Sequence, residues 1–269
     1  MTLPKILLSC VDIANRTWIL VVARMGSSRL WGKALADIHG LPALGHLLTR
    51  LKRCRRADHI VLCTTETDED DALELIAQNI GISCYRGQTN DVLNRMLGAL
   101  RGRHVDAIVR VTGDDILVAP EYLDHAITYH FETHAEYTDL KSLPSGTEGE
   151  VFDVSLLRRI AKAAIDTEGT EYLTEFVTNN QQQIRCVSAP VQEVHSRNWR
   201  LTIDTNDDLE LVREVISLLR ERGKGLDYTL DDLITVIESN PVILEMNSHI
   251  RQRATPKSTN THLRWEHFI

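Results

Sequence analysis

The sequence predicts an α/β fold in which a mostly parallel sheet is covered by helices on both faces, and three observations predict it. Short β-branched runs alternate with amphipathic helical periods through the first half of the chain. The first run, Trp18 to Ala23 (WILVVA), is continuously apolar, as a strand buried on both faces requires. The charged and small residues that can carry chemistry gather directly after such runs, at the strand ends where open α/β sheets bind ligands.

Taken in order, Met1 to Val11 is a short apolar patch with one lysine and no small-residue cleavage site after it, and reads as a strand. Further strands are predicted at Ile60 to Cys63, Ile82 to Tyr85 and Ala107 to Val111. Pro42 occupies a first helical position, followed by Leu44, Leu47, Leu48 and Leu51 on one face. Ala72, Leu73, Ile76 and Ile80 form a second stripe that Gly81 ends, and Val92, Leu93, Met96, Leu97 and Leu100 form a third. Pro120 opens a fourth helix with Leu123, Ala126, Ile127 and Phe131 inward. Glu150 to Val154 reads as a strand, after which Ser155 caps a helix through Leu156, Leu157, Ile160 and Ala164. Ile184 to Ser188 and Trp199 to Ile203 read as two more strands. Thr205 with Asp208, and Thr229 with Asp232, have capping-box spacing and open the last two helices. Residues 1–250 are expected to form one domain, and the polar stretch 251–269 a loose tail or an arm onto a partner.

Composition narrows the function classes. The net charge of −8 argues against a nucleic-acid-binding surface. The local basic cluster of Arg50, Lys52, Arg53, Arg55 and Arg56 reads as a solvated helix end. No apolar run approaches the roughly 20 residues that span a bilayer, so no membrane partner and a cytoplasmic location are expected. The five cysteines (Cys10, Cys54, Cys63, Cys84, Cys186) form no C-x-x-C pair, and their odd number suggests free thiols. His130 and His134 are spaced i, i+4, but no third ligand accompanies them, and they read as an exposed helix face.

Three strand ends carry the chemistry. After the first strand comes Arg24-Met25-Gly26-Ser27-Ser28-Arg29-Leu30-Trp31-Gly32-Lys33, whose glycine, hydroxyls and three basic side chains suit a triphosphate. This is neither G-x-G-x-x-G nor a P-loop. Val111-Thr112-Gly113-Asp114-Asp115 follows another strand, and its carboxylates are either Mg²⁺ ligands beside the phosphates or a turn. Leu201-Thr202-Ile203-Asp204-Thr205 ends in an aspartate that either closes the metal site against Asp114 or caps the next helix. One basic and two acidic strand ends together are the electrostatic requirement of phosphoryl or nucleotidyl transfer.

Four motifs in order make the pattern specific: R-x-G-S-x-R-L-x-G-K at 24–33, R-G-x(3)-D-V-L-x-R at 86–95, T-G-D at 112–114 and L-T-I-D-T-x-x-D-L-E at 201–210. They resemble the cytidylyltransferase family of spore-coat polysaccharide synthesis (SpsF-like), related to the CMP-Kdo and CMP-sialic acid synthetases. The likeness runs from about Trp18 to Ile250, and Ser239 to Ile250 resembles the family's ending. It implies a Rossmann-like three-layer nucleotidyltransferase fold with a mostly parallel mixed sheet (GT-A-like). The nucleotide-binding half is about 17–118 and the acceptor and dimerisation half about 119–250, and a homodimer is expected.

The resemblance also implies roles. Arg24 and Lys33 are the catalytic, triphosphate-binding pair. Ala23, Gly26, Ser27, Ser28, Arg29, Arg86, Gly87, Asp91, Arg95, Thr112 and Gly113 contact the nucleotide. Asp114 and Asp204 hold Mg²⁺, with Asp115 a further candidate ligand, and Glu148, Glu150, Glu171 and Tyr172 lie on the acceptor side. The implied reaction moves CMP from CTP to a small acidic or sugar-like acceptor (a nonulosonic acid, a sugar phosphate or a phosphonate) and releases pyrophosphate. A nucleotide-sugar glycosyltransferase and a non-catalytic nucleotide-binding relative are the alternatives. The chain departs from the family pattern at Asp115-Ile116-Leu117, where C-P-L is usual. It departs again at Thr170-Glu171-Tyr172, where an arginine-glutamate-histidine signature is usual, and at Trp31, which replaces a common proline.

Overall fold

Strand β1 (Thr17–Val22) sits inside the sheet because its apolar residues are used on both sides: Ile19 and Val21 enter one core and Leu20 the other. A computed structural model of the chain describes residues 15–27, 29–167, 170–251, 261 and 263–265. The strand expected at Met1 to Val11 lies outside the described residues. β1 pairs in parallel with β4 (His59–Thr65) and β6 (Ala107–Thr112), and β4 pairs in parallel with β5 (Ser83–Gly87). Beyond β6 the sheet becomes mixed. β8 (Glu150–Asp153) runs antiparallel to β6 and to β7 (Tyr137–Asp139), and β7 carries β9 (Cys186–Ser188) in parallel. The seven-stranded order is β5-β4-β1-β6-β8-β7-β9, and β2 (Asp37–Ile38) with β3 (Leu41–Pro42) forms a separate small ladder.

Two apolar layers sandwich this sheet. On one face lie α1 (Ala43–Leu51), α2 (Asp71–Ile80), α4 (Pro120–Glu132), α7 (Asn206–Glu221) and α8 (Leu230–Ser239). On the other lie α3 (Val92–Ala99), α5 (Val154–Ala163) and α6 (Leu173–Thr178). The result is the expected three-layer α/β fold. From β1 the chain winds outward through β4 and β5, then crosses back to place β6 on the other side of β1. The strand order therefore reverses between β1 and β6, and the crevice at their carboxyl ends is the place where such sheets bind ligands.

Both capping boxes form, with the Thr205 hydroxyl accepting from the Asp208 N–H and Thr229 from that of Asp232. Other expectations need correction. Trp199 to Ile203 is not a ladder strand: Leu201 N donates to Ser145 O (2.7 Å) and Ile203 N to Asp114 O (3.1 Å), so two separate loops share its backbone. Pro42 lies in β3, one residue before α1. α5 begins at Val154, and Ser155 does not cap it. Asp153, at the cap position, instead bonds His130 (3.1 Å).

That contact also removes His130 from the exposed face, for it is fully buried and bonded to Thr138 Oγ1 (2.9 Å) as well. Arg50 leaves the solvated cluster for a similar reason. It is buried over the Tyr228 ring at 3.5 Å and satisfies the interior carbonyls of Val118 and Tyr228. Of the polar tail, the described residues near 261–265 lie against the chain itself: Leu263 bridges Ala164 and Arg264 N donates to Ala163 O (2.8 Å). Cys54, Cys63, Cys84 and Cys186 are free thiols, and no helix among the described residues is long and apolar enough to cross a membrane.

The loop that receives Leu201 turns at Gly146, whose φ is +97° and whose missing Cβ would fall 2.5 Å from Leu201 C and Thr202 N. Gly146→Ala is expected to destabilise the protein by about 2 kcal/mol or more, read as a lowered urea midpoint with an unchanged slope.

Candidate active site

At the carboxyl end of β1 the chain enters the loop 23–33, and a buried carboxylate shapes it. Asp70 accepts the Met25 N–H (2.7 Å), the Thr65 N–H (2.9 Å) and the Thr64 and Thr65 hydroxyls. Burial alone would raise its pKa, but these donors hold it below the usual carboxylate range. The loop end is thereby tied to the end of β4. Gly113 closes the other side. Its N–H donates to Val22 O (2.9 Å), and a Cβ there would come within 2.6 Å of that of Ala23, so only glycine lets the ends of β1 and β6 approach this closely.

Lys33 joins the loop after β1, the loop after β6 and the segment that ends at Asp204. Its Nζ donates to Asp114 Oδ2 (2.6 Å), Asp204 Oδ1 (3.0 Å) and the Ile203 carbonyl (2.9 Å). Burial draws the ammonium pKa down, but the two carboxylates outweigh it and hold it above its ordinary value. Asp204 also pairs with Arg29 (2.7 Å) and Arg200 (2.7 Å); burial opposes its charge, and the charge of Lys33 prevails and keeps it low. Behind this pair, Arg200 grips Asp208 at 3.0 and 3.1 Å, and the Asn247 amide donates to Asp208 at 2.8 Å. Asp208 thus both caps α7 and fixes the arginine that fixes Asp204. The 3₁₀ helix Pro241–Asn247, from the family-like ending, supplies its last donor.

These residues open onto a cavity of about 570 Å³, well within the usual range for small-molecule sites. Of the expected site residues, Ala23, Arg24, Gly26, Ser27, Arg29, Lys33, Arg95, Thr112, Gly113, Asp114 and Asp204 all line it. Glu171 and Tyr172 line it too, so they face this cavity; Glu171 pairs with Arg24 at 3.0 Å. Five basic side chains (Arg24, Arg29, Lys33, Arg95, Arg110) face three acidic ones (Asp114, Glu171, Asp204), which suits a polyanion. The two aspartates converge on one cation, and such hard oxygens fit Mg²⁺.

A second cavity of about 260 Å³ adjoins the first and shares Arg110 and Thr112 with it. Asp115, Glu148 and Glu150 line this one. Asp115 thus faces this cavity and not the larger one, bonded to the Thr112 hydroxyl, with Asp114 as a neighbouring charge. Burial pushes the Glu148 carboxyl up to about 7, against the pull of N–H groups from Thr147 and Gly146.

Three predicted nucleotide contacts are placed elsewhere. Arg86 donates to Asp71 (2.5 Å), Glu74 (3.0 Å) and the Thr65 and Thr67 carbonyls, and so ties β5 to β4 and α2. Gly87 ends β5 outside both cavities. Asp91 accepts the Asn94 N–H (2.9 Å) as the cap of α3. Ser28 lies outside the described residues. Sequence reasoning missed Asp70, Arg110 and Arg200. Arg110 interrupts the apolar run of β6 and Arg200 the run from Trp199 to Ile203, and a lone arginine in an apolar segment is the signal that could have found them.

The chain matches the family model described as cytidylyltransferase over residues 18–233. It is 31% identical over 234 residues to the spore coat polysaccharide biosynthesis protein SpsF of Bacillus subtilis, covering 84% of this chain and 96% of that one. The solved structure of a cytidylyltransferase from Leptospira borgpetersenii shares 31% identity and a TM-score of 0.79, over 86% of this chain and 97% of that chain. A CMP:2-keto-3-deoxy-manno-octonic acid synthetase complexed with CTP is similar in fold alone, with 16% identity and a TM-score of 0.59 over 76% and 99% of the two chains.

The Arg200–Asp208 pair has a pH signature. Asp208 is fully buried and, despite that burial, its arginine and amide partners hold its pKa below the ordinary 3.8. A depressed carboxylate adds stability above its unfolded pKa and loses it as the pH falls through the folded value. Urea midpoints are expected to drop as the pH is taken below about 4, and Asp208→Asn to cost about 3 kcal/mol at neutral pH while flattening that acid limb.

Proposed function

Since the chain belongs to the cytidylyltransferase family and is a nucleotidyltransferase, we propose that it moves CMP from CTP to a hydroxyl of a small sugar-like acceptor, with Mg²⁺. The acceptor oxygen bonds to the α-phosphorus, the bond to the β-phosphate oxygen breaks, and pyrophosphate leaves with that electron pair while the hydroxyl proton is released. The observation that carries this reading is the Lys33 ammonium held between Asp114 and Asp204 inside a predominantly basic cavity. Asp114 and Asp204 would hold Mg²⁺, which when bound neutralises charge on the triphosphate.

The chain's own cations do the rest. Among the described residues Arg24 is bound only through an ion pair with Glu171, both more than a third exposed, and such surface pairs contribute little. A phosphate therefore displaces Glu171 at small cost. Arg29 and Lys33 share Asp204 and turn to the phosphates in the same way. Arg95 lines the same cavity, its guanidinium held by the Gln88 and Thr89 carbonyls at 3.1 and 3.5 Å, and adds a further fixed positive charge beside the nucleotide. Binding thus replaces carboxylate partners with phosphate partners, and the charge developing on the leaving pyrophosphate meets donors already in place.

Calorimetric titration with CTP, UTP, GTP and ATP, with and without Mg²⁺, is expected to show selective CTP binding strengthened by the metal. Preference for another triphosphate would overturn the cytidylyl assignment. With a competent acceptor, Lys33→Ala and Asp114→Ala are each expected to lower kcat/KM for pyrophosphate release by about 100-fold or more. Release of a nucleoside diphosphate would instead indicate a nucleotide-sugar glycosyltransferase.

A further inference from the structure

The two adjoining cavities have opposite charge. The larger one is predominantly basic, whereas the smaller is lined by four carboxylates, Asp115, Asp139, Glu148 and Glu150, against two cations, Arg110 and Lys141. Both cations are already committed. Arg110 pairs with Glu150 at 2.5 Å, and Lys141 with Asp139 at 3.2 Å. Glu150 is further satisfied by the Tyr137 and Thr174 hydroxyls, at 2.6 and 2.7 Å.

Asp115 and Glu148 are left facing the cavity with neutral donors only. Glu148 accepts the Gly146 and Thr147 N–H groups at 2.7 and 2.9 Å, and Asp115 accepts the Thr112 and Thr202 hydroxyls. Among the described residues no ion pair reaches either one, and no third carboxylate, histidine or cysteine completes a metal cluster with them. Enclosed carboxylates are costly to ionise without a cation, which is why burial raises the Glu148 carboxyl, and a ligand ammonium would offset that cost. Each also keeps acceptor capacity for the three N–H donors of an ammonium.

We infer that the acceptor is a sugar-sized polyol bearing a protonated amino group, bound in the second cavity with its ammonium on Asp115 and Glu148. This deepens the cytidylyl-transfer reading and rests on it. The cavity meets the CTP site at Arg110 and Thr112, so an acceptor anchored by its ammonium presents a hydroxyl toward the nucleotide. A protonated amine has no lone pair, so the hydroxyl and not the nitrogen attacks phosphorus. A carboxylate- or phosphate-bearing acceptor would add like charge to the same wall. At about 260 Å³ the space lies just below the usual range for drug-sized ligands, which suits one sugar unit. Asp115 stands where the family pattern carries another residue, so this preference belongs to this chain's own side chains.

The test uses four probes of nearly one shape: glucosamine, N-acetylglucosamine, glucose and glucuronate, each titrated into the full-length protein with CTP binding measured in the same samples. Glucosamine is expected to bind at least about tenfold more tightly than the other three near pH 7. Glu148→Gln, which keeps an oxygen for the Gly146 and Thr147 N–H groups, and Asp115→Asn are each expected to erase that preference while CTP still binds. Tightest binding of glucuronate, equal binding of all four, or no sugar binding beside intact CTP binding would overturn the ammonium site. Loss of CTP binding by the wild-type protein would instead remove the nucleotide-transfer reading, and the acceptor assignment with it.

Discussion

One ammonium group organises the functional end of this molecule. Lys33 comes from the loop after β1, Asp114 from the end of β6, and Asp204 from a segment almost a hundred residues further on, and the three meet within 3.0 Å. A buried ammonium is costly unless its charge is matched, and two close ionised carboxylates repel unless a cation stands between them. Each therefore needs the others. The same mutual need would make the arrangement exchangeable under the proposed function, since phosphates and a divalent cation carry the same charges.

The supporting layer uses the same physics more deeply. Arg200 spans Asp204 and the fully buried Asp208, and Asn247 completes the Asp208 shell. Asp70 does the corresponding work beneath the loop 23–33. Neither aspartate lines the larger cavity, yet each holds what does: Asp208 accepts the Asp204 N–H at 3.0 Å, and Asp70 fixes Met25 between Arg24 and Gly26. Charged side chains on mobile loops would lose much of their value to ordering entropy; here that ordering is completed during folding.

Two neighbouring compartments of opposite charge follow from the sheet itself. The parallel half, β5-β4-β1-β6, ends in the basic crevice, where strand ends and their loops present N–H groups and cations. The antiparallel addition, β8 and β7, places Glu150, Asp139 and the turn at Glu148 beside it. Arg110, on the strand that belongs to both halves, forms the shared wall. On the proposed assignment, nucleotide and acceptor would be selected by opposite electrostatics on the two sides of that wall.

The sequence by itself determined the α/β class, the parallel strands β1, β4, β5 and β6, the capping boxes of α7 and α8 and the three charged motifs at 24–33, 112–114 and 201–210. Each of these is a local pattern: an apolar run, a helical stripe, or a glycine and charges within about ten residues. The tertiary structure alone decided which charges meet. Arg86 and Asp91 lie inside a family-like motif, yet one ties β5 to α2 and the other caps α3. Asp115 is adjacent to Asp114 in the chain, but it lines a different cavity. Arg50, in a run of basic residues, is buried on the Tyr228 ring. Sequence spacing reports what a residue's own element does with it. Partners for a charge are found across elements, often at separations of many tens of residues, and no local period encodes that distance.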